Sequence, residues 1–548
     1  MSRRWALLLL ATSACSLQSS FDAYCTASAR CPTDAPSSSL GGTLAACVPR
    51  LVTPGSGALR RERRPVFRWA VDPACTATGF QLQVKAGCDA RRSAACDFDD
   101  GSALELAGDA ARSVQPDADL PLGWLRARVR ACETSRCGGW STPRVFRLGN
   151  ADGDLDGDGF AEVVVGSNGS QSTGAVFVFH GGTSLPGPTQ LVTGAAQLGW
   201  SLASGDVDGD GRADVVAGAW GSATDPTGVW LLRGGAATIP APLALGALDG
   251  QLGAQVAVAD VTGDGLGDVL TLRPVARELY LFPGDAMRLP GPPQRASSDG
   301  AGFGAGLGVV GDLLGDGTAA VLVGAASSAS DPGAAWLFTG GALVEPRPVR
   351  SQDCGFGAVV SGAGDVDGDG FPDALVGSDG YRVVVLRGSR DGLRGDDVLS
   401  TVELTVAGAV KVSQGALAAR ACPSPRLGSR VRFTGAGDVD GDGFADVALA
   451  VDGAALVLRG SAAGLVETPT ALAAPGALAT FGAAVAAPGD VNGDGLADLA
   501  VGAPGDGAGA VVVYLSRAAS PGTFDAATLR PTGTATRFGL SVASTAAR

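Results

Sequence analysis

The stretch FGAAVAAPGDVNGDGLADLAVGAPGDGAGAVVV, from Phe481 to Val513, holds the pattern that decides the fold. It runs from an aromatic-Gly pair through a short strand into an acidic loop, Asp490 to Asp498, and then into a Val-rich strand, a turn and another strand. The loop has the form Asp-x-Asp-x-Asp-Gly-x-x-Asp, and variants of it begin at Asp154, Asp206, Asp260, Asp312, Asp365, Asp438 and Asp490. Successive spacings are 52, 54, 52, 53, 73 and 52 residues. A period near fifty with several short strands per unit is the signature of a repeat architecture. Gly-rich turns and the lack of helical periodicity predict an all-β chain in which each unit is a propeller blade, seven in all.

Within each loop, carboxylates at alternate positions converge their oxygens on one point. The Gly at position 6 (159, 211, 265, 317, 370, 443 and 495) allows the positive-φ turn around that point. The expected ligands are Asp154, Asp156, Asp158 and Glu162 in loop one, and Asp206, Asp208, Asp210 and Asp214 in loop two. Loop three offers Asp260, Thr262, Asp264 and Asp268; loop five Asp365, Asp367, Asp369 and Asp373. Loop six offers Asp438, Asp440, Asp442 and Asp446; loop seven Asp490, Asn492, Asp494 and Asp498. Position 7 varies freely (Phe160, Arg212, Leu266, Phe371, Phe444, Leu496), as suits a backbone carbonyl ligand. Hard oxygen donors in that number select calcium. Loop four has Leu314 and Ala320 at ligand positions and is expected to hold no ion, so the count is about six structural Ca²⁺. An EF-hand would need a helix after the loop and a Glu at position 12, where this chain has Val165 or Leu449 in β-like flanks. The formal charge of −14 would become −2 with six such ions, so the acidity is largely a calcium inventory.

These residues resemble the FG-GAP repeats of the integrin alpha-chain propeller, with Phe481-Gly482, Gly502-Ala503-Pro504 and the acidic loop in the family's order. The resemblance implies a seven-bladed propeller over residues 149–548, with cations in the loops between the first two strands of each blade. It also implies that ligands meet the opposite face. The first unit lacks room for a strand before Asp154, and the missing copy reappears as Phe538-Gly539-Leu540-Ser541-Val542. The C-terminal tail is therefore expected to complete blade one beside Glu162 to Gly166, removing an exposed edge.

Ahead of the repeats, residues 1–14 read as a signal peptide, and the segment before Cys15 is similar to a bacterial lipoprotein signal that would lipidate that cysteine. Eleven cysteines less Cys15 leave ten, a number suited to disulfides in an exported protein. Residues 15–50 form a Cys-rich linker, and 51–148 resemble a small fibronectin type III β-sandwich, a spacer for the propeller. Cys132 and Cys137 are expected to pair locally, and Cys354 with Cys422 across the insertion that lengthens the fifth spacing.

The single histidine, His180, is expected to be a rim residue, which leaves no His-ligated zinc site or Ser-His-Asp triad. No basic stripe interleaved with aromatics appears, so nucleic acid is not an expected partner. The chain therefore reads as a non-enzymatic, exported, calcium-binding surface module for an extracellular protein or polysaccharide, in contact with a membrane through its lipid anchor only. A lectin-like propeller and a structural envelope lipoprotein without a specific ligand are the alternatives.

Overall fold

The computed structural model describes residues 47–545, except for segments of which 87–97 and 416–430 are the longest. Cys15 and the linker up to residue 46 lie outside the described residues, as does Cys422, so the expected pairing with Cys354 is not described.

Strands from Arg50 to Leu148 form two facing sheets. One joins Arg50–Thr53, Phe67–Ala70 and Ser113–Val114; the other joins Ala58–Arg60, Arg144–Leu148, Gly123–Glu133, Gly79–Ala86 and Leu104–Gly108. Alternation along Gly79–Ala86 sends Phe80, Leu82 and Val84 inward, where they meet Phe67, Trp69, Leu125, Val129 and Phe146. Two disulfides, Cys47–Cys75 and Cys132–Cys137, close the sandwich at its ends; the first has no counterpart in the sequence reading.

From Val163 onward come seven antiparallel sheets of at least four strands, one per repeat. The innermost strand of each blade touches the innermost strand of the next, so the ring closes. The second strands (Val163–Ser167, Asp214–Ala219, Asp268–Arg273, Ala320–Ala325, Asp373–Ser378, Asp446–Val451, Asp498–Ala503) are covered on both faces, which is why they read as unbroken apolar runs. Among the described residues, the aromatic or Leu of the Phe-Gly or Leu-Gly pair wedges between its own blade and the one before. Phe303 joins blades three and four, Phe356 blades four and five, and Phe481 blades six and seven. The Gly that follows must be Gly: Gly357 has φ +89°, and a Cβ there would lie 2.2 Å from the Ala334 carbonyl oxygen.

The seam is made as the missing copy predicts. Ser541–Val542 pairs antiparallel with Val163–Ser167, setting Val542 opposite Val165. Phe538 is fully buried between blades seven and one, edge-on to Phe177 and Phe179. Ser544–Thr545 then runs parallel to the inner strand of blade two, and Ser544 Oγ accepts from Ala487 N of blade seven at 3.1 Å. The tail therefore ties three blades together. The insertion in the fifth spacing is partly a β-extension: Val398–Leu404 and Val410–Gln414 lie outermost in blade five, and Gln414 Nε2 donates to the Leu465 carbonyl of blade six.

Candidate metal loops

Each acidic loop spans the turn from first to second strand of its blade. The carboxylate at position 1 builds the turn: Asp206 accepts from Gly209 N and Gly211 N at 2.7 and 2.9 Å, and Asp260, Asp438 and Asp490 repeat this. Position 5 caps position 7, as in Asp442 Oδ1 accepting from Phe444 N. Position 9 is a staple as well as a candidate ligand. Asp446 Oδ2 accepts from Val439 N and Oδ1 from Gly460 N, both at 2.9 Å, fastening the loop to the third strand. Asp214, Asp268, Asp373 and Asp498 do the same, and Glu162 accepts from Leu155 N. A carboxylate oxygen that accepts one N–H keeps a lone pair for a cation.

Side chains at position 7, read from sequence as free, are partly specified. Leu266, Phe444 and Leu496 each lie against the position-4 Gly of the preceding loop (Gly209, Gly368 and Gly441), and Arg212 covers Gly157 in the same way. At these four junctions each loop therefore overlaps the one before it.

Carboxylates converge most closely in loops one, two, five and six. Asp154, Asp156, Asp158 and Glu162 bring oxygens within 4.8 Å of one another, as do Asp206, Asp208 and Asp210; Asp365, Asp367 and Asp373; and Asp438, Asp440 and Asp446. Burial raises their pKa values: Asp154 to about 6, Glu162, Asp365 and Asp446 to about 7. In loops three and seven burial lifts Asp260 and Asp498 to about 8. Burial is the largest cause in each case, so the charged form of these carboxyls is disfavoured unless a positive charge is brought beside it. One buried oxygen, Asp365 Oδ1, has no hydrogen-bond donor, and Glu162 Oε1 has only His180 Nδ1, at 3.5 Å, so the donor set fits a hard divalent cation.

His180 corrects the sequence reading. Its Nδ1 lies 2.8 Å from Asp156 Oδ2 and 3.5 Å from Glu162 Oε1, so it is part of loop one, and Glu162 raises its pKa. The strand register explains this. The residue following the second-strand partner at the end of strand three is His180, Arg233, Pro283, Thr339, Arg387, Arg459 or Leu515 in blades one to seven. Arg233, Arg387 and Arg459 reach Asp208, Asp367 and Asp440 at 3.6, 3.0 and 3.5 Å. Where position 3 is Thr262, Leu314 or Asn492, the residue there is Pro283, Thr339 or Leu515, none of them a cation. A basic side chain therefore stands beside position 3 in each blade where that position is a carboxylate, and the aligned residue is not basic in the others. The signal was present in the sequence but needed the blade register to align it.

The opposite face carries the turns between second and third strands. Trp220, just after the second strand of blade two, lies against Trp200 with ring centroids 4.2 Å apart and planes tilted by 50°. Trp200 was not singled out from sequence. Tyr381 lies outside the described residues.

Seven blades whose acidic hairpin loops share one face define a class, the acidic-loop β-propeller. The chain carries FG-GAP-like repeats: that family's model matches residues 154–217 and 438–501. Integrin alpha-8 of Gallus gallus is 29% identical over 216 residues, covering 35% of this chain and 21% of its own length. Integrin alpha-IIb of Mus musculus is 30% identical over 239 residues, covering 38% and 22%. The chain thus spans about a fifth of the length of these curated relatives. Among solved structures, a protein from Lactobacillus plantarum aligns over 70% of this chain and 98% of its own at 13% identity, with a TM-score of 0.41. An exotype rhamnogalacturonan lyase aligns over 91% and 86% at 13% identity, with a TM-score of 0.35. Among the described residues no helix is long and apolar enough to cross a membrane.

Proposed function

We propose that this chain is an exported, calcium-loaded propeller that acts as a surface binding or adhesion module for an extracellular protein or polysaccharide. The observation that carries the reading is the repeated loop, in which buried carboxylates with raised pKa values converge and Asp365 Oδ1 is left without a hydrogen-bond donor. Carboxylates at positions 1, 3, 5 and 9 of loops one, two, five and six would hold the ions; Thr262 and Asn492 would complete loops three and seven. A bound ion supplies fixed positive charge that neutralises the carboxylates and locks the hairpins. Nothing in this reading requires a catalytic step. Export and lipidation at Cys15 belong to the same proposal, and likeness to the extracellular part of integrins supports export.

With the ions committed to holding the loops, the binding surface is assigned to the opposite face, where Trp200 and Trp220 meet. An aromatic pair is a suitable anchor for a sugar ring or a protein side chain. The test is a binding screen of residues 16–548 against matrix polysaccharides and surface proteins, in calcium and then in chelator. A ligand retained by calcium-loaded wild type and lost in Trp220→Ala supports the reading. Retention of every ligand in both chelator and Trp220→Ala would overturn it.

A further inference from the structure

The loop face of the propeller is held together by a ring of hydrogen bonds that passes from each acidic loop to the next. The N–H at position 8 of one loop donates to the carbonyl at position 1 of the loop before it. Ala213 donates to Asp154, Gly267 to Asp206, Ala319 to Asp260, Ala445 to Asp365, Ala497 to Asp438 and Ala161 to Asp490, at 2.6 to 3.3 Å. Six of the seven junctions are made this way. The seventh cannot be, because position 8 of loop five is Pro372, which has no N–H to offer the Asp312 carbonyl. The same Asp312 begins loop four, whose Leu314 and Ala320 leave its carboxylate without the companions that would hold a metal. Both deficits of the ring fall on one residue.

Two arginines of the N-terminal sandwich supply what is missing. Arg50, at the start of the strand Arg50–Thr53, donates from Nη2 to the Asp312 carbonyl. Its guanidinium also lies over the Phe371 ring of loop five, 4.2 Å from the centroid. Arg144, at the start of Arg144–Leu148, forms an ion pair through Nη1 with Asp312 Oδ2, and both side chains are at least nine-tenths buried, with 7% and 5% exposed. A third contact lies beyond: the Arg68 guanidinium rests on Gly443 of loop six, 4.0 Å from Asp438 Oδ2.

We propose that loop four is a guanidinium socket, a repeat that exchanged its metal for Arg144, and that the sandwich docks on the loop face by completing the hydrogen-bond ring at the Pro372 break. The N-terminal domain is then part of the propeller's closure in addition to being a spacer. One sector of the loop face, over loops four to six, is covered, and the partner is a domain of the same chain. Burial explains why the arrangement is specific: an ion pair taken out of water is costly to break by removing one partner, because the other charge is left uncompensated.

The test uses residues 16–548 in saturating calcium, read by small-angle scattering for docking and by thermal unfolding for the ring. Arg144→Gln should lengthen the maximum dimension of the particle as the sandwich swings free, while the calcium count stays at the wild-type value. Arg50→Ala should lower the Tm of the propeller, and adding Pro372→Ala, which restores the missing N–H, should recover most of that loss. In the wild-type background Pro372→Ala should give no such gain, since Arg50 already occupies the carbonyl. Strictly additive effects of Arg50→Ala and Pro372→Ala would overturn the proposal, and so would an unchanged particle dimension in Arg144→Gln. If Arg50→Ala alone fails to fold, rescue by Pro372→Ala decides the matter in favour, and no rescue decides it against.

Discussion

Loop two and loop four make the same backbone turn around different centres. In both, the first Asp accepts from the Gly at position 6 (Gly211 to Asp206 at 2.9 Å, Gly317 to Asp312 at 3.1 Å), and both glycines have φ near +90°. Loop two then adds Asp208, Asp210 and Asp214, whereas loop four has Leu314, Asp316 and Ala320. The turn is therefore written by positions 1 and 6, and the charge at its centre by positions 3 and 9. A repeat can lose its ion without losing its shape, provided another cation meets the remaining carboxylate.

The largest effect should come from removing the ions. Occupancy stabilises each site by about 2.7 kcal/mol at a hundredfold excess over Kd, so six sites outweigh the net stability of an ordinary domain. The metal-free protein should also show an inverted pH dependence. Folding raises Asp154 to about 6, Glu162, Asp365 and Asp446 to about 7, and Asp260 and Asp498 to about 8. A carboxylate whose folded pKa is raised contributes its stability below the unfolded value and loses it as pH rises through the folded value. In chelator, Tm should fall between about pH 4 and pH 8; in calcium that fall should vanish. A Tm in chelator that rises over this window would remove the cation account of every loop at once.

Next in size is the seam. Phe538→Ala empties a fully buried site between blades seven and one and should cost about 3–5 kcal/mol by denaturant unfolding. Truncation at Ala535 should cost more, because it also removes the pairing of Ser541–Val542 with Val163–Ser167. Unchanged stability in either would mean that the tail decorates the ring without closing it.

This seam was legible in the sequence because a repeat with one copy missing and one copy stranded at the far end has a single economical solution. The acidic loops and the convergence of their carboxylates were legible for the same reason, since seven copies show which positions vary. What escaped were relations between repeats. His180 looks isolated until strand pairing aligns it with Arg233, Arg387 and Arg459. Pro372 looks like one more variable position until the ring of position-8 donors is seen, and Arg50 and Arg144 lie 262 and 168 residues from the Asp312 they serve. Periodicity reports what each unit contains, whereas contacts between a unit and a non-repeating domain have no period to read.

Ion counting sharpens the contrast between metal loops and socket. Asp440→Ala should lower bound calcium from about six ions per chain to five by elemental analysis, as expected of a loop that gathers Asp438, Asp440 and Asp446. Leu314→Asp should add no ion, because Arg144 already holds Asp312. A seventh ion in Leu314→Asp would make loop four a latent metal site, and the difference between the two kinds of loop would shrink to one side chain.

The smallest effect concerns the cation beside position 3. Arg459 lies 3.5 Å from Asp440, and its side chain is 41% exposed, so solvent screens much of its field. Two outcomes compete. If the guanidinium mainly repels an incoming ion, Arg459→Gln should tighten calcium binding at loop six by up to about fivefold at low salt, the range expected of an exposed pair, with the gain fading at high salt. If it mainly holds the Asp440 carboxylate in place, affinity should fall, and the fall should persist in salt because lost positioning is not screened. The pairing of a basic side chain with each position-3 carboxylate in blades one, two, five and six, and with no neutral residue there, favours positioning. Repulsion alone would have disfavoured a cation at the loops richest in ligands. We therefore expect weaker, salt-insensitive calcium binding in Arg459→Gln by calorimetry; tighter binding at low salt would reduce the pairing to charge balance in the metal-free state.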